Sequence, residues 1–111
     1  MPKHPNDRLQ GTLDLLILTT LARGGPQHGY AIAQRIHHVT DEALRIEEGS
    51  LYPALQRMTG SKWLRAHWGT TDTGRKARFY ALTPQGWQQL EDEERRWAFL
   101  TQAVNKALRF A

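Results

Sequence analysis

Five histidines and one run of four acids are the side chains here best suited to chemistry, so their spacing decides the matter. His37 and His38 are adjacent; on a helix they point in different directions and cannot chelate together as an i, i+4 pair can. His4, His28 and His67 have no carboxylate or histidine at ligand spacing, and the chain has no cysteine. That leaves no thiolate zinc site, no disulfide and no cysteine nucleophile. Gly24-Gly25-Pro26-Gln27-His28-Gly29 lacks the Lys-Ser/Thr of a phosphate loop, and no serine stands in a nucleophile elbow. Glu91-Asp92-Glu93-Glu94 fans around a helix, so its carboxylates do not converge as an acid/base pair. We expect no catalysis, no metal and no cofactor.

The positive charge is better organised. The 111 residues carry a net +4, and the whole excess comes from residues 49–80. Arg57, Lys62, Arg65, Arg75, Lys76 and Arg78 stand there against Asp72 alone, while the flanking segments almost balance. A module with one face turned to a polyanion has this distribution. A solvated basic surface has it too, and charge alone does not separate the two.

The elements that must position these cations can be read from pattern. Leu9, Leu13, Leu16, Ile17 and Leu21 form one stripe of a helix over about 9–23, closed by Gly24-Gly25-Pro26. Leu15, Leu18 and Ala22 widen that stripe beyond what one contact surface needs. A second helix is expected over about 28–39, with Tyr30, Ala33 and Ile36 inward, and residues 43–47 either pair as a short strand or stay extended. Ser50 is a good N-cap for a third helix, with Pro53 in its first turn. Leu51, Leu55 and Met58 take one side of it; Pro53, Gln56, Arg57 and Gly60 take the other. Residues 62–68 alternate as a strand, 69–74 are turn chemistry, and 77–82 form a second strand, giving a hairpin with Arg75 and Lys76 near its tip. Thr83-Pro84 then starts a long last helix as N-cap and first helical residue.

The fold class is therefore mainly α with a small β-hairpin, in the order of a winged helix-turn-helix followed by a long helix. In that arrangement the third helix enters the major groove of double-stranded DNA and the hairpin reaches the neighbouring backbone or minor groove. The composition, 40% hydrophobic and 23% charged, suits one compact unit, with residues 1–83 as the DNA-binding part and 84–111 as a helix for pairing. The polar start of the chain shows no cleavage site and no apolar run can cross a bilayer. A cytoplasmic protein with no membrane contact is expected.

Gly11-Thr12-Leu13-Asp14-Leu15-Leu16-Ile17-Leu18, His28-Gly29-Tyr30, Glu48-Gly49-Ser50-Leu51-Tyr52-Pro53-Ala54-Leu55, Trp68-Gly69, Tyr80-Ala81-Leu82-Thr83 and Gly86 resemble the PadR family of bacterial transcriptional regulators. The resemblance covers about residues 9–108 and implies a winged-helix homodimeric repressor whose last helix dimerises. The short C-terminal part resembles the subfamily with a single C-terminal helix. Two positions depart from the pattern. The family commonly has an acid where Thr59 stands and Gly where Lys62 stands, and Gly60 is then the expected flexible position.

Candidate DNA contacts follow. Gln56 and Arg57, beside Pro53, can read base edges, Gln toward adenine and Arg toward guanine. Ser50 and Tyr52 at the helix start can give hydroxyls to phosphates, although Tyr52 suits a half-buried core position equally well. Arg75, Lys76 and Arg78 are candidate backbone contacts, Arg78 being the one whose strand position can turn it away. On the last helix Trp87, Leu90, Trp97, Val104 and Leu108 share one side, with Phe99, Ala103 and Phe110 nearly opposite. One core cannot cover both, so a second chain is expected on Leu13, Leu16, Leu90, Trp97, Leu100, Val104 and Leu108. Some regulators of this resemblance respond to aromatic or drug-like molecules at the dimer interface, where Trp97 is the candidate wall for a planar effector. The rival reading is a winged-helix module that binds only protein and has no affinity for DNA.

Overall fold

The computed structural model describes residues 7–110, with side chains from residue 11 onward. The polar start, His4 and the Leu9 side chain lie outside the described side chains. The elements are α1 (Asp7–Gly24), β1 (Gln27–His28), α2 (Gly29–Val39), α3 (Glu48–Gly60), β2 (Leu64–Thr70), β3 (Lys76–Leu82) and α4 (Pro84–Phe110). The three strands form one antiparallel sheet in the order β1-β3-β2.

The width of the α1 stripe has an internal cause. This helix packs against α2, α3, β3 and α4. Ile17, Leu18 and Leu21 are buried, and Leu15, Leu16 and Ala22 are partly buried against the same core. The excess apolar surface is thus covered within the chain. Ile32 and Ile36 bring α2 onto that core at i, i+4 spacing; Leu51, Ala54, Leu55 and Met58 bring α3; Leu64, Tyr80 and Leu90 bring the sheet and α4.

Local signals set the boundaries. Gly25 takes a φ of 75°, a conformation that only glycine adopts cheaply, and it stops α1. Gln27 then donates from Nε2 to the carbonyls of Thr20 and Gly25, each at 3.1 Å, pinning the connection. His28 caps α2, its Nδ1 accepting from the Ala31 amide at 3.4 Å. Thr83 caps α4 by accepting from the Gly86 amide at 3.0 Å while its hydroxyl lies 3.1 Å from the Trp63 carbonyl oxygen. At Gly86 a Cβ would stand 2.1 Å from that same carbonyl, so α4 meets the α3–β2 turn at a distance no side chain permits.

Three expectations are corrected. Of the two alternatives for residues 43–47 the paired strand is the one that fails: Asp41 and Glu42 adopt φ of 51° and 66° and fold the loop back, Glu42 donating its amide to the His37 carbonyl at 2.8 Å, and the segment runs unpaired to an extended Glu47. The third strand is instead Gln27–His28, whose two residues pair with Tyr80 and Phe79. The third helix begins at Glu48, not at Ser50, with Glu47 as an N-cap that makes no side-chain bond. Pro53 consequently lies in the second turn, and the Gly49 carbonyl it cannot serve is at an exposed residue, where water can take its place. Finally, α3 ends in a Schellman closure: Trp63 donates to Met58 and Lys62 to Thr59, both at 3.0 Å. The left-handed residue there is Lys62, with φ 67°, and Gly60 is ordinary helix.

Candidate nucleic-acid interface

The outer side of α3 is largely bare. Ser50, Tyr52, Pro53, Gln56 and Gly60 are exposed, as an amphipathic helix with its other side on the core requires. Arg57 departs from this. Its guanidinium turns back to α1 and grips Asp14 with both arms, Nη1 to Oδ2 at 3.0 Å and Nη2 to Oδ1 at 2.6 Å. Asp14 is only 6% exposed, and a buried carboxylate without a cation is costly, so this fork is where the guanidinium settles. The assignment of Arg57 to a guanine edge is corrected accordingly.

The hairpin carries its cations as expected. Arg75, Lys76 and Arg78 are all exposed. The turn is braced by Thr71, whose amide donates to the Arg75 carbonyl at 2.7 Å and whose hydroxyl accepts from the Arg75 amide at 3.1 Å. Gly74 supplies the positive φ of 83° that the turn needs. Register decides which way Arg78 points. Thr70 faces Lys76, Trp68 faces Arg78 and Ala66 faces Tyr80, so these six share one side of the sheet. Arg78 lies over the Tyr80 ring at 5.8 Å, turned toward α2 and α3. The opposite side is spent on packing: Phe79 sits between His67 and His28, and Gly69 leaves room for its ring, which a Cβ would approach to 2.8 Å.

Between the hairpin and the helices lies an open groove of about 880 Å³, lined among others by Tyr30, Tyr52, Trp68, Arg75, Lys76 and Arg78. Tyr52 is partly packed and partly open to the groove. It is 45% exposed, and its ring lies on Gly29, where a Cβ would come within 2.8 Å. Burial first, then the nearby Glu48 carboxylate, then Tyr80, raise its phenol above the ordinary value, so the hydroxyl stays a donor at neutral pH.

Two groove residues sit farther out than their place in the apolar pattern suggests. Tyr30 was expected inward but is 62% exposed, because Ile32 and Ile36 take the inward side of α2. Trp68 continues the Leu64–Ala66 alternation, yet it is 65% exposed because the strand runs beyond the core there. A Trp-Gly pair just before a polar turn was the available signal. Among the described residues, no three His, Asp or Glu side chains gather as a metal set.

On α4, Leu90 is 8% exposed and on α1 Leu13 is 9% exposed. Both are core residues of their own chain, which corrects their assignment to a surface for a partner; Leu16 is partly buried against that core. Trp97, Leu100, Val104 and Leu108 are exposed along one stripe, and Phe99 and Phe110 are exposed on the other side. Two members of the acidic run are paired locally, Asp92 with Arg95 and Glu93 with Arg96.

Three helices, a three-stranded sheet with a basic hairpin and a long final helix define a winged helix-turn-helix of the kind transcriptional regulators use. The sequence profile of the transcriptional regulator PadR-like family matches residues 17–92, and the chain belongs to that family. Its members are transcriptional regulators and not enzymes. The structure of a transcriptional regulator from Clostridium thermocellum superimposes with a TM-score of 0.81 at 29% identity, covering 90% of this chain and 96% of that one. A PadR family transcription regulator from Clostridium difficile gives 0.73 at 28% identity, covering 86% and 97%. Protein X of Lysinibacillus sphaericus is 28% identical over 100 residues, 90% of this chain and 91% of that protein.

Proposed function

We propose that this chain is a homodimeric transcriptional repressor that binds a two-fold symmetric operator in double-stranded DNA. The observation that carries this is the exposed outer side of α3, whose Tyr52 shares one groove with Arg75, Lys76 and Arg78 of the braced basic hairpin. In this reading Pro53 and Gln56 face base edges, while Ser50, Tyr52, Arg75, Lys76 and Arg78 hold the backbone. Residues 1–83 carry the DNA contacts and 84–111 the pairing helix, in one unit joined at Thr83 and Gly86. One reading helix per chain covers too little sequence, so two are needed, with half-sites about 10 bp apart or a multiple of that. Among the described residues no helix is long and apolar enough to cross a membrane, and the reading places the protein in the cytoplasm.

Footprinting on the DNA upstream of the gene, with the salt concentration varied, tests the proposal. Two protected half-sites related by two-fold symmetry are expected; a single half-site held by a monomer overturns it. A protein-only winged helix would protect nothing.

Release by a small planar aromatic effector completes the reading. Trp97 is 49% exposed on α4, and two copies facing one another across the dimer axis would form a flat apolar slot. Planar aromatics should quench its fluorescence and weaken operator binding, and Trp97→Ala should remove both effects. Quenching without any change in operator affinity would reduce Trp97 to packing, since a ligand with equal affinity for both states shifts nothing.

A further inference from the structure

We propose that the Asp14–Arg57 fork is a clamp that sets the placement of α3 on the rest of the domain, so that Arg57 governs DNA discrimination as a positioning residue without touching a base. This rests on the reading of α3 as the helix that enters the major groove.

The geometry carries it. Arg57 lies in the last turn of α3, and Asp14 lies in α1 beside the core residues Leu13, Ile17 and Leu18. The rest of the inner side of α3 is apolar, namely Leu51, Ala54, Leu55 and Met58. Apolar packing holds a helix against a core but is non-directional and tolerates small rotations about the helix axis. A planar guanidinium meeting a carboxylate at 3.0 and 2.6 Å does not, because both bonds are satisfied only at one rotation and one height. The Asp14 side chain is almost wholly buried and the Arg57 side chain about one-third exposed, so the anchored end is the α1 end and the adjustable element is α3. Buried ion pairs are poor sources of stability against an apolar alternative, and their best-attested use is to select one arrangement among several. Reading base edges needs that service, since a displacement of about 1 Å misaligns a bidentate contact while leaving phosphate contacts largely intact.

The test uses the full chain, a duplex selected by the wild-type protein from a random-sequence library, and a scrambled duplex of equal length and composition. Asp14→Asn alters no side chain on the outer side of α3. It should lower affinity for the selected duplex by about ten-fold or more and change affinity for the scrambled duplex by less than about two-fold. Arg57→Met added to the Asp14→Asn background should then cost less than a further two-fold, since the pair acts as one unit. Arg57→Lys keeps the charge but loses the fork; it should lose discrimination like Asp14→Asn, and it carries the test if Asp14→Asn fails to fold at the assay temperature. Circular dichroism confirms which variants are folded. Undiminished selected-duplex affinity in Asp14→Asn overturns the clamp, as does unchanged discrimination in Arg57→Lys. So does a ten-fold cost of Arg57→Met that persists in the Asp14→Asn background, for then Arg57 meets a base. If the wild-type protein selects no sequence from the library, the reading of α3 itself fails, and the clamp with it.

Discussion

At the scale of single residues, the largest departures from sequence expectation are matters of pairing and torsion. Arg57 sits at the helical angle of an outward side chain, and pattern could not show a carboxylate 43 residues earlier waiting within its reach. Tyr30 was read as core for its ring, but the hydroxyl and the better inward fit of Ile32 and Ile36 leave it outside. Lys62 is different, since the family pattern has glycine there and the structure shows why. A φ of 67° costs a residue with a Cβ about 1–2 kcal/mol, whereas glycine adopts it freely. Glycine also gives the unfolded chain more freedom, which returns roughly 0.4–1 kcal/mol of that gain. Lys62→Gly should therefore stabilise the fold by about 0.5–1 kcal/mol, read as a higher urea midpoint at unchanged m. A loss of stability would mean that the Lys62 side chain holds something more than its backbone strain.

At the scale of elements, amphipathic helices with caps were legible and short pairings were not. The stripe of α1, the Thr83 cap and the hairpin alternation all lie within a few residues of where they act. β1 has two residues after a Gly-Gly-Pro turn, too few for any period, and it exists because β3 offers an open edge. The start of α3 slipped from Ser50 to Glu48 because Ser50 is the better side-chain cap, whereas Glu47 serves through its backbone carbonyl alone. The hairpin is where function can be tested at this scale. Its tip is fixed by Thr71 and Gly74, and Lys76 projects from the first pair of the ladder opposite Thr70. A lysine there meets phosphate as a point charge and carries no sequence information. Lys76→Ala should weaken selected and random duplexes nearly equally and flatten the slope of log affinity against log salt by about one. A change in sequence preference with the slope unaltered would place Lys76 on a base edge.

At the scale of the whole molecule, shape points to the second copy. A compact chain of about 100 residues has a radius of gyration near 13 Å. This one has 15.3 Å and a longest dimension of 54 Å. The excess belongs to α4, whose 27 residues span roughly 40 Å at 1.5 Å each. Its first two turns are seated by Gly86 and Leu90, but from Glu94 to Phe110 every residue except Thr101 is exposed. That stretch still contains Trp97, Phe99, Leu100, Val104, Leu108 and Phe110, at exposures from 46% to 83%. A monomer in water has little reason to keep such a helix, since its helical stability comes chiefly from packing. In the proposed dimer a two-fold partner would supply the packing, each α4 covering surface that the other leaves bare, and would also hold two reading helices at one spacing. Removing residues 97–111 should therefore leave a folded monomer, because the core side chains all precede the cut. Linked reading heads gain about 10²–10⁴ in affinity over separate ones. The truncated chain should accordingly lose at least about 100-fold on the full two-half-site duplex and far less on a single half-site. Sedimentation equilibrium alongside the binding curves decides it: a truncated chain that remains a dimer would move the interface away from α4, whatever its DNA affinity.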